Sequence, residues 1–381
     1  MIYLAKEDIR HTLGKFIVTA MGVGMLLGIV LIMMGVYRGM IVDAEVLLND
    51  LNADLWIVQE ETLGPFAEAS RIHENLQYVI KSLPGIDKSS AITFQNIQLP
   101  RKKTKVRVFA IGYDVFGDIN PVNPARIVAG RTLATDHYEI VITDKTGFTL
   151  HDKIQLGRNI YTVVGVTHGS VSSGGDLLVY ISLKDAQELQ FSYSNKRIQT
   201  DRARGIINSY THMVNAVIAT VKPGFPAENI AGDIRKWQHK SVYTKEQQRA
   251  VLTKYVVEKA SKQIGLFTAI LVIVATIIIS LIIYTMTLEK MKEIAIMKLI
   301  GLPNSMIVRM IVEETLLLGI LAFLFGNMFS HLIYAKFPKR VVLEIPDAWM
   351  LFGVVVVASI FASFIAVKKV INADPAAAIG G

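Results

Sequence analysis

The chain has 381 residues and a mean hydropathy of +0.41, with 52% hydrophobic and 19% charged residues and a formal net charge of +8. That balance is membrane-like. The absence of cysteine excludes disulfides, thiol catalysis and cysteine-ligated zinc. The positive charge does not call for nucleic acid, since Lys and Arg beside membrane spans explain much of it.

Residues 1–15 are helical in pattern, with Ile2, Ala5, Ile9 and Leu13 near one face and Lys6, Glu7, Arg10 and Lys15 elsewhere. This predicts a cytoplasmic amphipathic helix on the membrane surface, or a plain extension of the first span. Phe16–Tyr37 is that span: 22 uncharged residues, with no small-x-small cleavage site at its end, which favours an uncleaved anchor. Further uncharged stretches run over Gln263–Leu288, Thr315–Ala335 and Ala348–Val367. Each meets the length of roughly 20 apolar residues that a bilayer requires. The expected fold is therefore a membrane protein with four transmembrane α-helices in a one-plus-three layout. A large α+β extracytoplasmic domain, residues 38–262, lies between the first and second spans.

Positive charge sets the orientation. Lys6, Arg10 and Lys15 precede the first span, Lys290, Lys292, Lys298 and Arg309 lie between the second and third, and Lys368 and Lys369 follow the fourth. The 336–347 loop carries only Lys336, Lys339 and Arg340, partly offset by Glu344 and Asp347. Both termini, the 289–314 loop and the 368–381 tail are expected in the cytoplasm, and the 336–347 loop and the large domain outside it.

Beyond Tyr37 the helical spacing continues through Met40, Ala44, Leu47, Leu48 and Leu51, and Leu252, Val256, Lys259 and Gln263 share a face before the second span. Two arms, 38–52 and 244–262, are expected to form a stalk of roughly 15–20 Å that carries motion from the membrane. Between them, Asp54–Gln59, Lys103–Tyr113, Glu139–Thr143, Lys153–Leu156, Tyr161–Val166, Leu177–Ile181 and Met213–Val221 read as strands. Ile72–Ser82, a stretch from Leu183, and Ala227–Gln238 read as helices. The rhythm changes near Pro121–Pro124, which suggests an α+β subdomain (53–120 with 211–240) and a smaller β-rich one (125–205).

Little in this domain points to chemistry. The basic run Arg101–Arg107 suits either anionic headgroups, an acidic partner or a solvated strand. Gly169–Asp176 reads as a flexible loop and lacks a phosphate-cradling pattern. The histidines, at 11, 73, 137, 151, 168, 212, 239 and 331, show neither HxH nor HExxH spacing. No nucleophile–base arrangement is visible. A non-enzymatic membrane subunit is expected, with no catalytic, cofactor-binding or metal site.

The informative segment is the loop after the second span. Glu289, Lys290, Met291, Lys292, Glu293, Ile294, Ala295, Ile296, Met297, Lys298, Leu299 and Ile300 suit a short helix, closed by Gly301 and stopped by Pro303. Met291, Ile294, Met297 and Ile300 line one side, with a second apolar row at Ile296 and Leu299. Apolar surface with no core of its own suggests a partner or the bilayer, although a connector packed on the membrane has the same pattern.

This Glu289–Gly301 run resembles the coupling-helix signature of permeases in the MacB/FtsX superfamily. Asn372–Ile379 resembles that family's ending after its fourth span, with Ala377 where Glu is common. Gly130–Leu133, Asp152–Leu156 and Tyr161–Val166 are similar to its outer-domain sequence, and Asp54–Gln59 with Leu63–Phe66 looks more specifically like DevC-type exporter permeases. The resemblance implies the permease subunit of an ABC efflux transporter. It binds no cofactor itself and uses ATP through a separate ATPase chain, because only 15 residues precede the first span. It further implies a homodimer in the inner membrane with a periplasmic domain, two ABC ATPase subunits and the lipid bilayer as partners. A periplasmic membrane-fusion protein and a TolC-like outer-membrane channel often complete such systems. MacB-like mechanotransmission would pass from the coupling helix to the stalk residues Ala44, Leu47, Leu48, Leu252 and Val256. The alternatives are an FtsX-like regulator of a cell-wall hydrolase and a lipoprotein-release permease.

Overall fold

The computed structural model describes residues 13–101, 104–157, 159–192, 200, 204–205, 212–337 and 339–371. The 1–15 segment before Leu13, Lys102, Lys103 and the tail from residue 372 lie outside the described residues. The chain divides into two units, one built from the chain up to Gly39 with that from Ala260 onward, the other from Met40–Lys259.

The first unit holds the membrane helices. α1 (Leu13–Asp50) is one 38-residue helix that begins in this unit and ends in the other. After the outer domain come α6 (Glu258–Glu289), the short α7 (Met291–Leu299), α8 (Asn304–Ile333) and α9 (Ile345–Ile371). Four of these helices are long and apolar enough to cross a membrane. α8 starts well before the expected third span, so most of the 289–314 loop is helical. The 336–347 loop is docked rather than free: Val342 N–H donates to Gly35 O at 3.0 Å, and Arg38 pairs with Glu344 at 2.8 Å and with Asp347.

The second unit is built on one sheet. Its strands are β1 (Leu55–Val58), β3 (Ile86–Arg101), β4 (Thr104–Tyr113), β5 (Ile127–Gly130), β6 (Glu139–Thr143), β7 (Lys153–Leu156), β8 (Asn159–Thr167), β9 (Leu178–Ser182), β11 (Ala216–Val221) and β12 (Ser241–Thr244). They run in the order β12-β1-β11-β3-β4-β9-β6-β8-β5, with β7 on β8. Helices α2 (Leu76–Lys81), α3 (Leu183–Ser192), α4 (Ala227–Gln238) and α5 (Lys245–Leu252) complete the unit. The two expected subdomains are not separate, because β4 pairs in parallel with β9 from Phe109↔Leu178 to Tyr113↔Ser182 and joins them into one sheet.

β1 shows how the layers arise. Side chains alternate along a strand: Leu55 and Ile57 pack with Ile80 of α2 and Ile230 and Ile234 of α4, while Trp56 and Val58 pack with Leu47, Leu48 and Leu51 of α1 and Leu252 of α5. Both faces are covered. A third cluster, including Val108, Ile140, Tyr161, Val179 and Leu189, fills the β-rich part.

Several expectations are corrected. Ile72–Ser82 is not one helix: β2 (Ile72–His73) pairs with β10 (Met213–Val214), and only Leu76–Lys81 is helical. β3 was not expected at all. The Gly169–Asp176 loop is pinned, with Ser170, Val171, Ser172 and Ser173 buried, a Val171↔Leu177 bridge, and Ser172 Oγ accepting from Gly174 and Asp176 N–H. The 244–262 arm is not a continuous rod either. Thr244 caps α5 in a capping box with Gln247, and a π-turn over Thr253–Val257 interrupts the α-helical ladder before α6.

Candidate functional site

α7 follows α6 across one joint residue. Lys290 has φ −88° and ψ 2°; its N–H donates to Met286 O at 3.3 Å and its carbonyl accepts from Ile294 N–H at 2.9 Å. At the other end Gly301 takes φ +92°, a value that favours glycine. Leu302 N–H donates to Met297 O at 3.1 Å and Gly301 N–H to Lys298 O at 3.0 Å, a Schellman closure. Extended Pro303 then opens α8. Both ends of α7 are therefore set by local backbone chemistry.

Burial divides the helix lengthwise. Ile294 and Ala295 are buried, and Met291 and Met297 pack against the membrane-unit core that includes Met286, Ile307, Met310 and Ile311. Ile296, Leu299 and Ile300 are 50%, 64% and 73% exposed. Of the row Met291, Ile294, Met297 and Ile300, expected to lie on one uncovered side, only Ile300 is turned outward. The first turns of α8 supply the apolar cover that a local reading of α7 cannot see. What remains outside is a ridge of Ile296, Leu299 and Ile300, with Glu289, Lys292 and Glu293 exposed at the start of the hairpin and Lys298 half-buried.

A buried ion pair fixes this hairpin. Lys290 Nζ meets Glu314 Oε1 at 2.6 Å, with side chains 10% and 8% exposed. The pair joins the foot of α6 to α8. Desolvating both charges is costly, and removing one takes from the other the partner it meets at 2.6 Å. Glu289 makes a second, exposed contact with Lys15 Nζ of α1 at 2.7 Å. Sequence reasoning missed the Lys290–Glu314 pair. Its signal was Glu314 itself, an acid directly abutting the apolar run of the third span.

The expected stalk residues are interior. Ala44, Leu47, Leu48 and Leu252 are all buried, the last three in the outer-domain core. The arms are thus a helical layer of that domain where they meet it, and not a free rod. Asp50, at the C-terminal end of α1, is held by Arg126 at 2.7 Å and by the Asn123 amide at 3.0 Å. Arg249 of α5 reaches Glu45 of α1 at 3.2 Å. Val256 has its backbone in the π-turn, and its side chain lies outside the described residues.

Elsewhere polar groups serve the fold. Arg131 and Glu139 pair at 2.6 Å, and this hydrogen bond, with those from Ala134 and Thr135 N–H, holds the Glu139 carboxyl below the usual carboxylate range. His137, His168 and His212 each contact a single carboxylate, Asp185, Asp144 and Glu74. Among the described residues no group of His, Asp or Glu is arranged to hold a metal ion.

Residues 16–237 match the MacB-like periplasmic core domain family, and residues 265–375 match the FtsX-like permease C-terminal family. The chain belongs to the MacB/FtsX superfamily of ABC transporter permeases. This permease is 20% identical over 381 residues, the full length of both chains, to an uncharacterized ABC transporter permease of Mycobacterium bovis and to another of Mycobacterium tuberculosis strain H37Rv. Its outer domain is similar to the extracellular domain of YknZ, a noncanonic ABC-type transporter from Gram-positive bacteria (13% identity, 51% of this chain, 100% of that one, TM-score 0.34). It is also similar to the periplasmic region of MacB from Actinobacillus actinomycetemcomitans (8% identity, 53% and 93% coverage, TM-score 0.37). The permease is a multi-pass membrane protein, and its family associates with an ATPase.

Proposed function

We propose that this permease couples ATP hydrolysis on a separate ATPase chain to efflux of a substrate from the periplasm or outer leaflet, with α7 as the coupling helix. The division of α7 into a fixed and a bare side carries this reading. One side is seated on the membrane core through Ile294 and Ala295 and tied to α8 by Lys290–Glu314. The other offers Ile296, Leu299 and Ile300, an apolar ridge suited to a protein groove. A force on that ridge passes to α8 through the ion pair and to α6 through the joint at Lys290. From α1, whose C-terminal turns Leu47–Leu51 lie in the outer-domain core, motion reaches that domain by covalent helix. The full reading is a homodimer with two ATPase subunits in the inner membrane, both termini cytoplasmic, and with a membrane-fusion protein and outer-membrane channel.

Ile296→Asp and Leu299→Asp place a charge in the docking contact, where desolvation is costly. Both are expected to insert normally and to lose ATPase recruitment, measured by co-purification. Wild-type recruitment by both removes α7 from the role. Orientation is tested in the cysteine-free chain: Ser82→Cys should react with an impermeant maleimide added to cells, and Ser305→Cys should not. The reverse pattern overturns the topology.

A further inference from the structure

β3 outruns its neighbour on one side. β11 pairs with it from Val221↔Ile86 to Ala216↔Ile92, and β4 from Tyr113↔Ile92 to Thr104↔Arg101. Past Ile92, β3 is therefore laddered along one edge only. The end of the β11 ladder shows which backbone groups face the open edge. Asn215 N–H donates to Ile92 O at 3.1 Å, and the Asn215 Oδ1 accepts from Phe94 N–H at 2.8 Å. Backbone direction alternates along a strand, so Asn96 and Gln98 turn their N–H and C=O groups the same way. Among the described residues nothing bonds those groups. Pro100, next in the series, has no N–H and ends the free ladder.

A groove of about 550 Å³ follows this edge. Its lining takes Gln95, Asn96, Ile97 and Gln98 in succession. Consecutive side chains point to opposite faces, so only the edge of the strand touches all four. Gln155 of β7 and Gln190 of α3 line it as well. The side-chain amides of Asn96, Gln98, Gln155 and Gln190 have no hydrogen bond among the described residues. Free backbone groups thus stand beside free amides, a surface that hydrogen-bonds another backbone. Among the described residues of the lining, Lys105 is the one charge and there is no acid. Lys105 stands across from Pro100 and Arg107 across from Gln98. Both are exposed, and neither has an ion pair among the described residues.

We infer that this edge receives an extended, acidic segment of a partner protein as an added β-strand. Its backbone bonds Asn96 and Gln98. Its acids lie two strand spacings, roughly 10 Å, from Lys105 and Arg107, a gap that the long side chains close between them. A second copy of the chain is the poorer occupant: it brings its own Lys105 and Arg107 to the edge, and like charges discourage edge-to-edge pairing. This inference goes beyond the proposed export role and stands whether or not α7 couples to an ATPase.

The test uses the full chain in nanodiscs and a fluorescent synthetic peptide alternating valine and glutamate, with binding read by anisotropy. Saturable binding is expected, several-fold weaker for the counterpart with lysine in place of glutamate. Two further peptides are N-methylated, one at its glutamates and one at its valines. Only one of those sets faces β3 in an added strand, so one peptide should lose binding and the other keep it. Gln98→Pro gives up an N–H that points away from β4 and so spares the β3–β4 ladder. It should weaken the acidic peptide by about three- to tenfold, the range one backbone bond contributes. Lys105→Gln with Arg107→Gln, at exposed positions, should weaken it by about three- to fivefold and flatten its salt dependence. Gln98→benzoylphenylalanine should photo-crosslink to the peptide. No saturable binding, equal binding of the lysine peptide, or indifference to both methylation patterns overturns the proposal. So does a crosslink to a second copy, or to residues 193–211 of the same chain, in place of the peptide adduct.

Discussion

α1 and α6 are both apolar enough to span a bilayer, yet they are held in opposite ways. Half of the most apolar stretch of α1 is buried inside the protein, against 17% for that of α6. α1 approaches α8 through glycines along its length: a Cβ on Gly28 would lie 2.8 Å from Gly326 O, and one on Gly326 would lie 2.6 Å from Gly24 O. Helices in lipid gain nothing from hydrophobic exclusion, so close backbone approach through small residues is what joins them. Among the described residues α6 makes no such glycine approach, Gly265 having nothing within 4 Å of an added Cβ. Leu266, Ile270, Ile273, Ile277 and Leu281 form an exposed stripe along it, while its other side packs in the core through Ala275, Ile279, Ile283 and Met286 and its foot is tied by Lys290 and Glu314. Hydropathy identifies a span, while the small and charged residues say how closely it is held to its neighbours.

The largest effect is expected at the foot of α6. Lys290→Met leaves Glu314 buried without its ammonium, a loss of about 3–5 kcal/mol by the cost of breaking buried pairs. Denaturant unfolding in detergent should show it as a large fall in midpoint. Lys290→Met with Glu314→Leu removes both charges and should recover most of the loss. A single variant as stable as the native chain would mean that α6 is held elsewhere.

Gly28→Leu is expected to come next. The new side chain meets Gly326 O and Phe329 within 3 Å, and α1 must move off α8 at a cost of about 1–3 kcal/mol for overpacking. Reduced unfolding midpoint and faster proteolysis of the loop between α8 and α9 would register it. An unchanged midpoint would erase the contrast between the two helices.

These two sites also show where sequence reading succeeds. The spans were legible because lipid demands long uninterrupted apolar runs. The hairpin's helix was legible because its stop, Gly301 and Pro303, is local. Which side of α7 is bare was not legible, since Ile307, Met310 and Ile311 that cover it lie on the next helix. The Lys290–Glu314 pair spans 24 positions and no local window contains both. β3 escaped for a different reason: Ser89, Ser90, Ala91, Ile92 and Thr93 are all buried in it, so small polar residues hide the alternation that marks a strand with one wet face.

A smaller effect, confined to the outer domain, serves as the control that neither helix should feel. Glu139→Gln loses the charge-assisted bond to Arg131, whose own half-exposed position limits the cost to about 1 kcal/mol at neutral pH. The sign of its pH dependence follows from the lowered carboxyl value. A carboxylate held below its unfolded value stabilises the fold above about pH 4 and loses that contribution as pH falls through the folded value. Native and variant midpoints should therefore converge in acid. A gap that persists there would show that Glu139 acts through packing.

The smallest effect on folding is expected on the bare stripe of α6. Ile277 is exposed, so Ile277→Ala creates no cavity, and its unfolding midpoint should change by less than about 0.5 kcal/mol, as for surface substitutions generally. The same residue has a second role if the stripe is where two copies meet in the proposed homodimer. Interfaces in lipid depend on contact along the seam, so Ile277→Ala combined with Ile270→Ala should shift the purified protein toward monomer, read by mass photometry in nanodiscs. Gly28→Leu, which disturbs α1 within one protomer, should not share that specific shift at matched folded protein. If the α6 pair leaves the dimer fraction unchanged, the stripe faces lipid only and the two copies meet through another surface.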